Sequence, residues 1–383
     1  MPFYRHQGIT PPKRHTAFRP ESSALYYEEL ISREGFNSLY SNLYHLKMPT
    51  ILEHAADFNP IHPGKSSTFT GNQHVFTARL GSSGDCISAR RLLFYNADLK
   101  IHKAHTDTSM DFFYRNGHFD ELFYVQSGKG VLHTNFGDLN FSDGDYIVIP
   151  RGVIWKMQLL VSARFLIIES SGPIETPSKY RNRFGQLLEH SPYCERDIRT
   201  PILSAPVDET GKFTVKVRLS NGIQNLVYST HPFDVAGWDG YFFPWIINIR
   251  DFEPIVGSIH QPPPVHQMFQ SSGFVVCSFV DRLFDFHPDA IPAPYYHSNV
   301  DSDELIFYSE GNFMSRTGIE SESMTYHPMG LPHGPQPGKY EGSIGVRSTR
   351  ERAVMIDTFR PLILTEGLDA VRDESYPMSW KTD

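Results

Sequence analysis

Short runs of apolar and β-branched residues, separated by turn residues, recur along most of the chain. The longest series begins at ARRLLFYNADLKIHKAHT (89–106) and continues to about residue 170. Runs of this length, bounded by Gly, Pro, Asn and Asp, are typical of short β-strands joined by turns. Further runs of this kind lie at 75–80, 213–219, 225–230, 265–286 and 353–364. The pattern therefore predicts a mainly β protein.

Helical patterns are few and short. The segment ESSALYYEELIS (21–32) predicts a helix, because acidic residues near its start suit the helix dipole. Short helices are also expected within 178–193 and 368–380, the latter packed on the surface. Residues 1–20 are polar and basic, with paired prolines. We expect them to form an extended arm on the surface or on a neighbouring subunit.

Two segments of the chain repeat one another. DELFYVQSG (120–128) matches DELIFYSEG (303–311), so that Glu121 corresponds to Glu304. The repeat predicts two fused copies of one β-barrel. We expect an N-terminal domain at 1–255, whose barrel covers about 89–170, and a C-terminal domain at 256–383 that carries the functional site.

Three polar residues lie before, within and after the second copy, at a spacing that matches a known ligand pattern. His297, Glu304 and His333 fit the cupin pattern H-x-H-x4-E-x6-G followed by P-x-G-x-x-H, with Asn299 in place of the second His. Two imidazoles and one carboxylate on one face of an iron leave the other positions open, as in non-haem Fe(II) oxygenases. The same ligand types also suit zinc. The spacing therefore predicts a metal site on a cupin-type (jelly-roll) barrel.

The first copy lacks the two histidines of this pattern. Tyr114 and Trp155 stand where the second copy has its two histidines, and Glu121 remains alone. A single carboxylate does not hold iron, so we expect the first barrel to be structural and free of metal. His118 lies near Glu121 but off the pattern.

Composition narrows the class of protein further. The 383 residues carry a formal net charge of −8 and no long basic run, which argues against a nucleic-acid partner. The three cysteines are far apart, which fits a reducing cytoplasm. No apolar run approaches the length of a membrane span, and the first residues do not form a signal peptide. We therefore expect a cytoplasmic protein without a nucleic-acid or membrane partner.

Four longer segments carry a resemblance to a known family. They are HPFDVAGWDGYFFP (231–244), APYYHSNVDSDE (293–304), YHPMGLPHGPQ (326–336) and DESYPMSW (373–380). With them the chain resembles the homogentisate 1,2-dioxygenase family, in its shorter bacterial form, over nearly its whole length. The resemblance implies a cupin enzyme that uses Fe(2+) and O2 to open the ring of homogentisate, giving maleylacetoacetate in tyrosine and phenylalanine breakdown. It also implies a homo-oligomer, a trimer or a hexamer.

The resemblance also assigns roles to individual residues. His297, Glu304 and His333 match the iron ligands of the family. His260 matches a histidine proposed as the base near the substrate hydroxyl, and His327 matches a second active-site histidine.

Two weaker candidates come from the residues alone. Tyr296 lies beside the first ligand, and Arg316 lies near the ligands in sequence. We consider both as substrate contacts.

Three alternatives remain open from the sequence. The first is a dioxygenase for another para-diphenol, such as gentisate or hydroquinone. The second is a zinc cupin isomerase of sugar phosphates, which would need a phosphate grip of Lys or Arg beside the ligands; around 297–333 only Arg316 qualifies. The third is a non-catalytic bicupin, which would predict loss of the ligands in both barrels.

Overall fold

In the part of the chain that the structure describes, the fold consists of 24 strands, most of them short, and very little helix. The computed structural model describes residues 3–20, 24–68, 71–311, 313 and 315–381. The strands of the first half are β1 (Arg5–Gly8), β2 (Tyr27–Ser32), β3 (Tyr40–His45), β4 (Leu52–Pro60), β5 (Gln73–Val75), β6 (Arg91–Tyr95), β7 (Leu99–Thr106), β8 (Phe113–Asn116), β9 (Asp120–Thr134), β10 (Gly137–Phe141), β11 (Asp145–Ile149) and β12 (Ile154–Ser170).

The second half continues in the same manner. Its strands are β13 (Thr210–Leu219), β14 (Gly222–Thr230), β15 (Val235–Gly240), β16 (Trp245–Asn248), β17 (Gln267–Gln270), β18 (Phe274–Phe279), β19 (Arg282–Leu283), β20 (Asp303–Gly311), β21 (Met324–His327), β22 (Ser348–Thr349), β23 (Glu351–Thr358) and β24 (Ile363–Leu364). Within the described residues α1 (Lys339–Ser343) is the one α-helix. The 3-10 helices are Glu34–Phe36, Thr77–Arg79, Ser178–Tyr180, Glu195–Asp197, Ile249–Asp251, Pro263–His266, Glu366–Val371 and Tyr376–Met378.

The long strands β9 and β12 form the centre of a twelve-stranded sheet. Its main path runs β16-β11-β9-β12-β8-β13-β14-β4, and β6, β7, β10 and β24 join it outside this path. The side chains of Phe123, Trp155 and Phe165 are fully buried and pack edge to face. Aromatic burial of this kind stabilises the first barrel through the apolar area removed from water.

A six-stranded antiparallel sheet forms the second barrel, in the order β17-β18-β23-β20-β21-β5. The central strand β20 lies between β21 and β23. In this register Glu304 is the direct partner of His327 on one side and of Asp357 on the other. Directly opposed residues of an antiparallel pair point to the same face. The pairing therefore brings these three side chains together.

The two barrels exchange strands. β5, from the N-terminal part of the chain, pairs with β21 of the second barrel, and β24 pairs with β6 of the first. The Tyr124 hydroxyl lies 2.7 Å from the Ser309 hydroxyl and adds a contact between the sheets. These pairings join the two domains expected at 1–255 and 256–383. The boundary between these domains stays a prediction.

The mainly β fold with cupin-type barrels and few short helices is confirmed, but one of the three helices expected from the sequence is wrong. Of the segment 21–32, residues 21–23 lie outside the described part of the chain, and Tyr27–Ser32 is a strand because it pairs with Tyr40–His45. At Tyr27–Ser32 strand pairing has overridden local helix propensity. The short helix expected within 178–193 is the 3-10 helix Ser178–Tyr180, and irregular chain follows it.

The ends of the chain also differ in detail from expectation. The predicted terminal helix at 368–380 consists of two 3-10 helices, Glu366–Val371 and Tyr376–Met378, and the side chain of Tyr376 is buried rather than on the surface. The N-terminal arm forms β1, which pairs with β15 of the same chain. No helix in the described part of the chain is long and apolar enough to cross a membrane.

Candidate metal centre

The two histidines of the predicted metal site face each other across a short bridge. His297 N–H donates to the His333 carbonyl and His333 N–H donates to the His297 carbonyl, both at 2.9 Å. Glu304, at the start of β20, completes the group, and one ligand atom from each of the three residues lies within 4.8 Å of the others. Segments far apart in sequence thus converge on a space of the size of one ion.

The backbone fixes which ring nitrogens point into that space. Nδ1 of His297 lies 3.1 Å from the Tyr295 carbonyl, and Nδ1 of His333 lies 3.2 Å from the Leu331 carbonyl. A carbonyl only accepts, so each Nδ1 carries the proton. The Nε2 atoms are left as lone-pair donors, 3.7 Å and 3.5 Å from the Glu304 carboxylate. This is the arrangement in which histidines bind metals.

The donor set fits a divalent cation. Nε2 of His333 is buried and has no hydrogen-bond partner in the described part of the chain. A buried nitrogen of this kind is costly unless something satisfies it. Burial would raise the pKa of Glu304, but the surrounding histidines hold it well below its ordinary range. Two neutral imidazoles and a carboxylate at one point suit Fe(II) or zinc.

His327 lies behind Glu304 rather than in front of it. Its Nδ1 is 2.8 Å from Oε1 of Glu304, and its Nε2 is 3.0 Å from the Tyr376 hydroxyl. Burial lowers the pKa of His327 to about 4, so the ring is neutral at pH 7. Since one nitrogen then donates and the other accepts, Nδ1–H donates to the carboxylate and Nε2 accepts from the phenol. Both nitrogens of His327 are therefore engaged.

A cavity of about 530 Å³ opens onto the metal triad. Its lining includes His297, Glu304, His260, Arg316 and Asp357. Pockets of this size, mostly apolar with a few polar groups, are typical of small-molecule sites. Among the described residues that line it, His297 and Glu304 represent the triad, while His333 and His327 lie behind the wall.

His260 and Tyr296, both expected near the substrate, have different positions. His260 lines the cavity, with Nδ1 3.3 Å from the Asp285 carboxylate and its ring edge-on to Tyr295. Tyr296 is 56% exposed, stacks on Tyr340 and does not line the cavity. The geometry thus brings His260 to the site and leaves Tyr296 beside it.

Arg316 is a buried cation on the cavity wall, only 6% exposed. Its Nη1 donates to the carbonyls of Ser315 and Gly334, and its Nε is buried with no partner among the described residues. No carboxylate of the described residues lies within ion-pair distance of the guanidinium, which instead lies over the ring of Trp380 at 5.5 Å. A buried charge without an ion-pair partner is unfavourable, and the more distant Glu304 carboxylate offsets only part of this cost. The guanidinium is therefore ready for an anionic ligand.

Sequence reasoning missed two residues of the site. Asp357 lines the cavity, and its Oδ1 is buried with no hydrogen-bond partner. Burial and the neighbouring Glu304 charge raise the pKa of Asp357 to about 7. An acidic residue inside the apolar run AVMIDT (353–358) was the available signal. Tyr376 was assigned to a surface helix and no signal in its segment indicated its contact with His327.

The corresponding position of the first barrel is filled by protein groups. Arg90 donates to Glu121 at 2.7 Å and to Glu169 at 3.1 Å, and the rings of Tyr114 and Trp155 lie 5.0 Å apart. Among the residues described, the only group of three with metal-ligand geometry is the one in the second barrel.

His118 has no part in such a group. Its Nδ1 accepts a hydrogen bond from the Ser220 N–H at 2.8 Å, which is a structural contact.

The chain is similar to known proteins at several levels. The family described as Homogentisate 1,2-dioxygenase N-terminal matches residues 84–249. A protein of Saccharolobus solfataricus named "Putative dioxygenase" is 41% identical over 387 residues, covering 100% of both chains. The homogentisate 1,2-dioxygenase of Legionella pneumophila (strain Lens) is 26% identical over 360 residues, covering 88% of this chain and 83% of that one.

Solved structures share less sequence identity with this chain than the relatives above do. A cupin 2 conserved barrel domain protein from Leptotrichia buccalis is 9% identical, covers 77% of this chain and 100% of its own, and has a TM-score of 0.36.

The paired barrels, one of them with a candidate metal site, and these relatives define the class as a cupin dioxygenase, an oxidoreductase. The chain belongs to the homogentisate 1,2-dioxygenase family.

Proposed function

We propose that this protein is an Fe(II)-dependent ring-cleaving dioxygenase that converts homogentisate and O2 to maleylacetoacetate, in the cytoplasm and as a homo-oligomer. The observation that carries the proposal is the shared cavity. It is lined by His297 and Glu304, which with His333 form a triad that fits iron, and by the buried Arg316, which has no ion-pair partner among the described residues. When bound, iron would provide the path by which electron density of the ring reaches O2.

Arg316 supports a substrate that carries a carboxylate. A guanidinium forms paired hydrogen bonds with a carboxylate, and such bonds are strong in a buried site. Homogentisate and gentisate both offer this group, and hydroquinone does not. The sugar-phosphate isomerase is less well supported, because a phosphate needs more than one free cation and Arg282, the other arginine of the cavity wall, is paired with Glu351 at 3.2 Å.

His260 is the better candidate for the base. It lines the cavity, and an imidazole can accept a phenol proton at neutral pH. The Asp285 carboxylate holds its Nδ1, which leaves Nε2 to act on the substrate hydroxyl. His327 has no free nitrogen for this task, since Glu304 and Tyr376 occupy both. We assign His327 to holding the Glu304 carboxylate.

Asp357 is a candidate contact for the second hydroxyl of the diol. Its Oδ1 is unpartnered on the cavity wall, and its carboxyl group is not part of the metal-ligating group. A hydroxyl donated to this oxygen would satisfy it. Together Arg316, His260 and Asp357 would hold the three polar groups of homogentisate in one orientation.

The test measures O2 uptake by the Fe(II)-reconstituted protein with homogentisate, gentisate and hydroquinone in parallel, together with the mass of the product. We expect rapid uptake with homogentisate and a product heavier than the substrate by one O2. His333→Ala, which removes one ligand, serves as the negative control. O2 uptake with gentisate or hydroquinone, but not with homogentisate, would change the assignment of the substrate. Absence of uptake with all three, at full iron content, would refute the dioxygenase proposal for these diols.

A further inference from the structure

The last described residues of the chain contact three separate parts of the site. We define the C-terminal clasp as residues 372–380. It begins beside β5, an edge strand of the second barrel, and ends below the loop that carries His333. A short segment that touches several parts of a site can hold their relative positions.

The first contact is with His327. The Tyr376 ring is 2% exposed, and its hydroxyl lies 3.0 Å from Nε2 of His327. The other nitrogen of His327 lies 2.8 Å from Oε1 of Glu304. Since Nδ1 must carry the proton in order to donate to the carboxylate, Nε2 needs a donor, and the Tyr376 O–H is the one found among the described residues. The phenol thus selects the tautomer that orients Glu304.

The second contact is with the loop after His333. Nε1 of Trp380 donates to the carbonyls of Gly334 and Pro335, both at 3.2 Å. Gln336 donates to the Ser379 hydroxyl at 2.8 Å. The segment that follows a metal ligand is therefore held at two successive carbonyls and one side chain.

The third contact is with the cavity wall. The guanidinium of Arg316 lies over the Trp380 ring at 5.5 Å, and Trp380 in turn packs edge-on against Tyr376. A cation over an indole face is attracted to it. The clasp therefore supports both the ligand side and the substrate side of the site.

The clasp is itself anchored to the sheet. Asp373 N–H donates to the His74 carbonyl at 2.8 Å, and the Asp373 carboxylate lies 3.1 Å from Nδ1 of His74. Because His74 belongs to β5, the anchor is a strand contributed by the N-terminal part of the chain. The clasp is thus anchored to β5 at its start, and its end contacts the site.

From these contacts we infer that the C-terminal clasp positions the metal ligands, with Tyr376 acting on Glu304 through His327. Tyr376 touches no metal ligand directly and is a positioning residue. The inference does not depend on which diol is the substrate.

The test compares Tyr376→Phe with the wild type. The substitution keeps the ring and removes one oxygen, so His327 loses the donor to Nε2. We expect the affinity for Fe(II), measured anaerobically by competition with a chromophoric chelator, to fall about 10-fold to 100-fold. Co(II)-loaded protein gives a second readout, since its visible spectrum reports the geometry around the metal.

The matched control is Tyr146→Phe. Tyr146 is also buried, and its hydroxyl lies 2.8 Å from the Ser278 hydroxyl, with no contact to the clasp. Both variants should lose similar thermal stability, but only Tyr376→Phe should lose metal affinity and change the Co(II) spectrum. Equal metal affinity in both variants would overturn the inference and leave Tyr376 as a packing residue.

A second variant tests the inference independently, in case Tyr376→Phe does not fold. Trp380→Phe removes the N–H that donates to Gly334 and Pro335, and its side chain is only partly buried. It should weaken metal binding in the same direction. If this variant binds Fe(II) as tightly as the wild type does, the clasp does not position the ligand loop.

Discussion

His297 and His333 are joined by two reciprocal backbone hydrogen bonds, each 2.9 Å long. In the first barrel the corresponding pair is Tyr114 and Trp155, which are also direct partners. The same backbone frame thus carries a candidate metal site in one barrel and an aromatic contact in the other. The difference lies in the side chains and not in the fold.

His333→Ala should abolish metal binding while the protein stays folded. It removes the buried, unpartnered Nε2 and leaves two ligands, which are too few to hold iron in a cupin site. Metal content after dialysis should fall to background, and O2 uptake should fall with it. His118→Ala, in the first barrel, is the matched control and should retain full metal content. Stoichiometric iron in His333→Ala would disprove the ligand assignment.

Arg316→Met should raise KM selectively for diols that carry a carboxylate. The variant keeps a long buried side chain but loses the charge. Hydrogen bonds to charged groups contribute about 1.5–3 kcal/mol, so KM for homogentisate should rise about 10-fold to 100-fold. Arg316→Lys should recover part of the loss. If KM for homogentisate does not change, the carboxylate binds elsewhere.

Asp357→Ala should weaken binding of a ligand only when that ligand has the second hydroxyl. Anaerobic titration of the metal-loaded protein compares homogentisate with 2-hydroxyphenylacetate, which lacks that group. We expect a loss of about 10-fold or more for homogentisate and little change for the analogue. Equal losses for both ligands would mean that Asp357 acts on the metal site or on the fold.

Stability should decrease as pH rises above neutrality because of His45. Burial alone would lower the pKa of His45, but hydrogen bonds to Asp234 and Glu29, at 2.7 Å and 3.0 Å, raise it to about 9. A raised pKa in the folded state stabilises the protein fully below the unfolded value of 6.5, and this contribution disappears as pH rises through about 9.

The loss should amount to about 3 kcal/mol, from 1.36 kcal/mol per pKa unit. Urea denaturation below and above this window measures it. His45→Gln, which cannot be charged, should show a much smaller decrease over the same range. A wild-type curve that is flat in this window would contradict the assignment of the stabilisation to His45.

Arg90→Met should destabilise the first barrel without affecting the metal. Arg90 is buried between Glu121 and Glu169, and removing one partner of a buried ion pair costs about 3–5 kcal/mol. The melting temperature should fall markedly, and Glu121→Gln in the same chain should restore part of it. Arg91→Met, an exposed neighbour, is the control. An unchanged melting temperature in Arg90→Met would show that the carboxylates are balanced by other groups.

The sequence by itself determined the β-rich fold, the repeat of the two barrels and the grouping of His297, Glu304 and His333. Strand periodicity depends on alternate residues, and the ligand spacing depends on two neighbouring strands, β20 and β21, with their flanking turns. Local patterns survive in the sequence because the geometry of a short segment limits which residues can occupy it.

The tertiary structure alone decided which other residues reach the site. Asp357 faces Glu304 only because of the register between β20 and β23, and Tyr376 reaches His327 from a segment whose pattern suggested a surface helix. Tyr27–Ser32 likewise became a strand through its partner strand and not through its own propensity. Contacts between distant segments depend on how whole sheets pair and pack, and a single sequence does not encode that pairing in any short pattern.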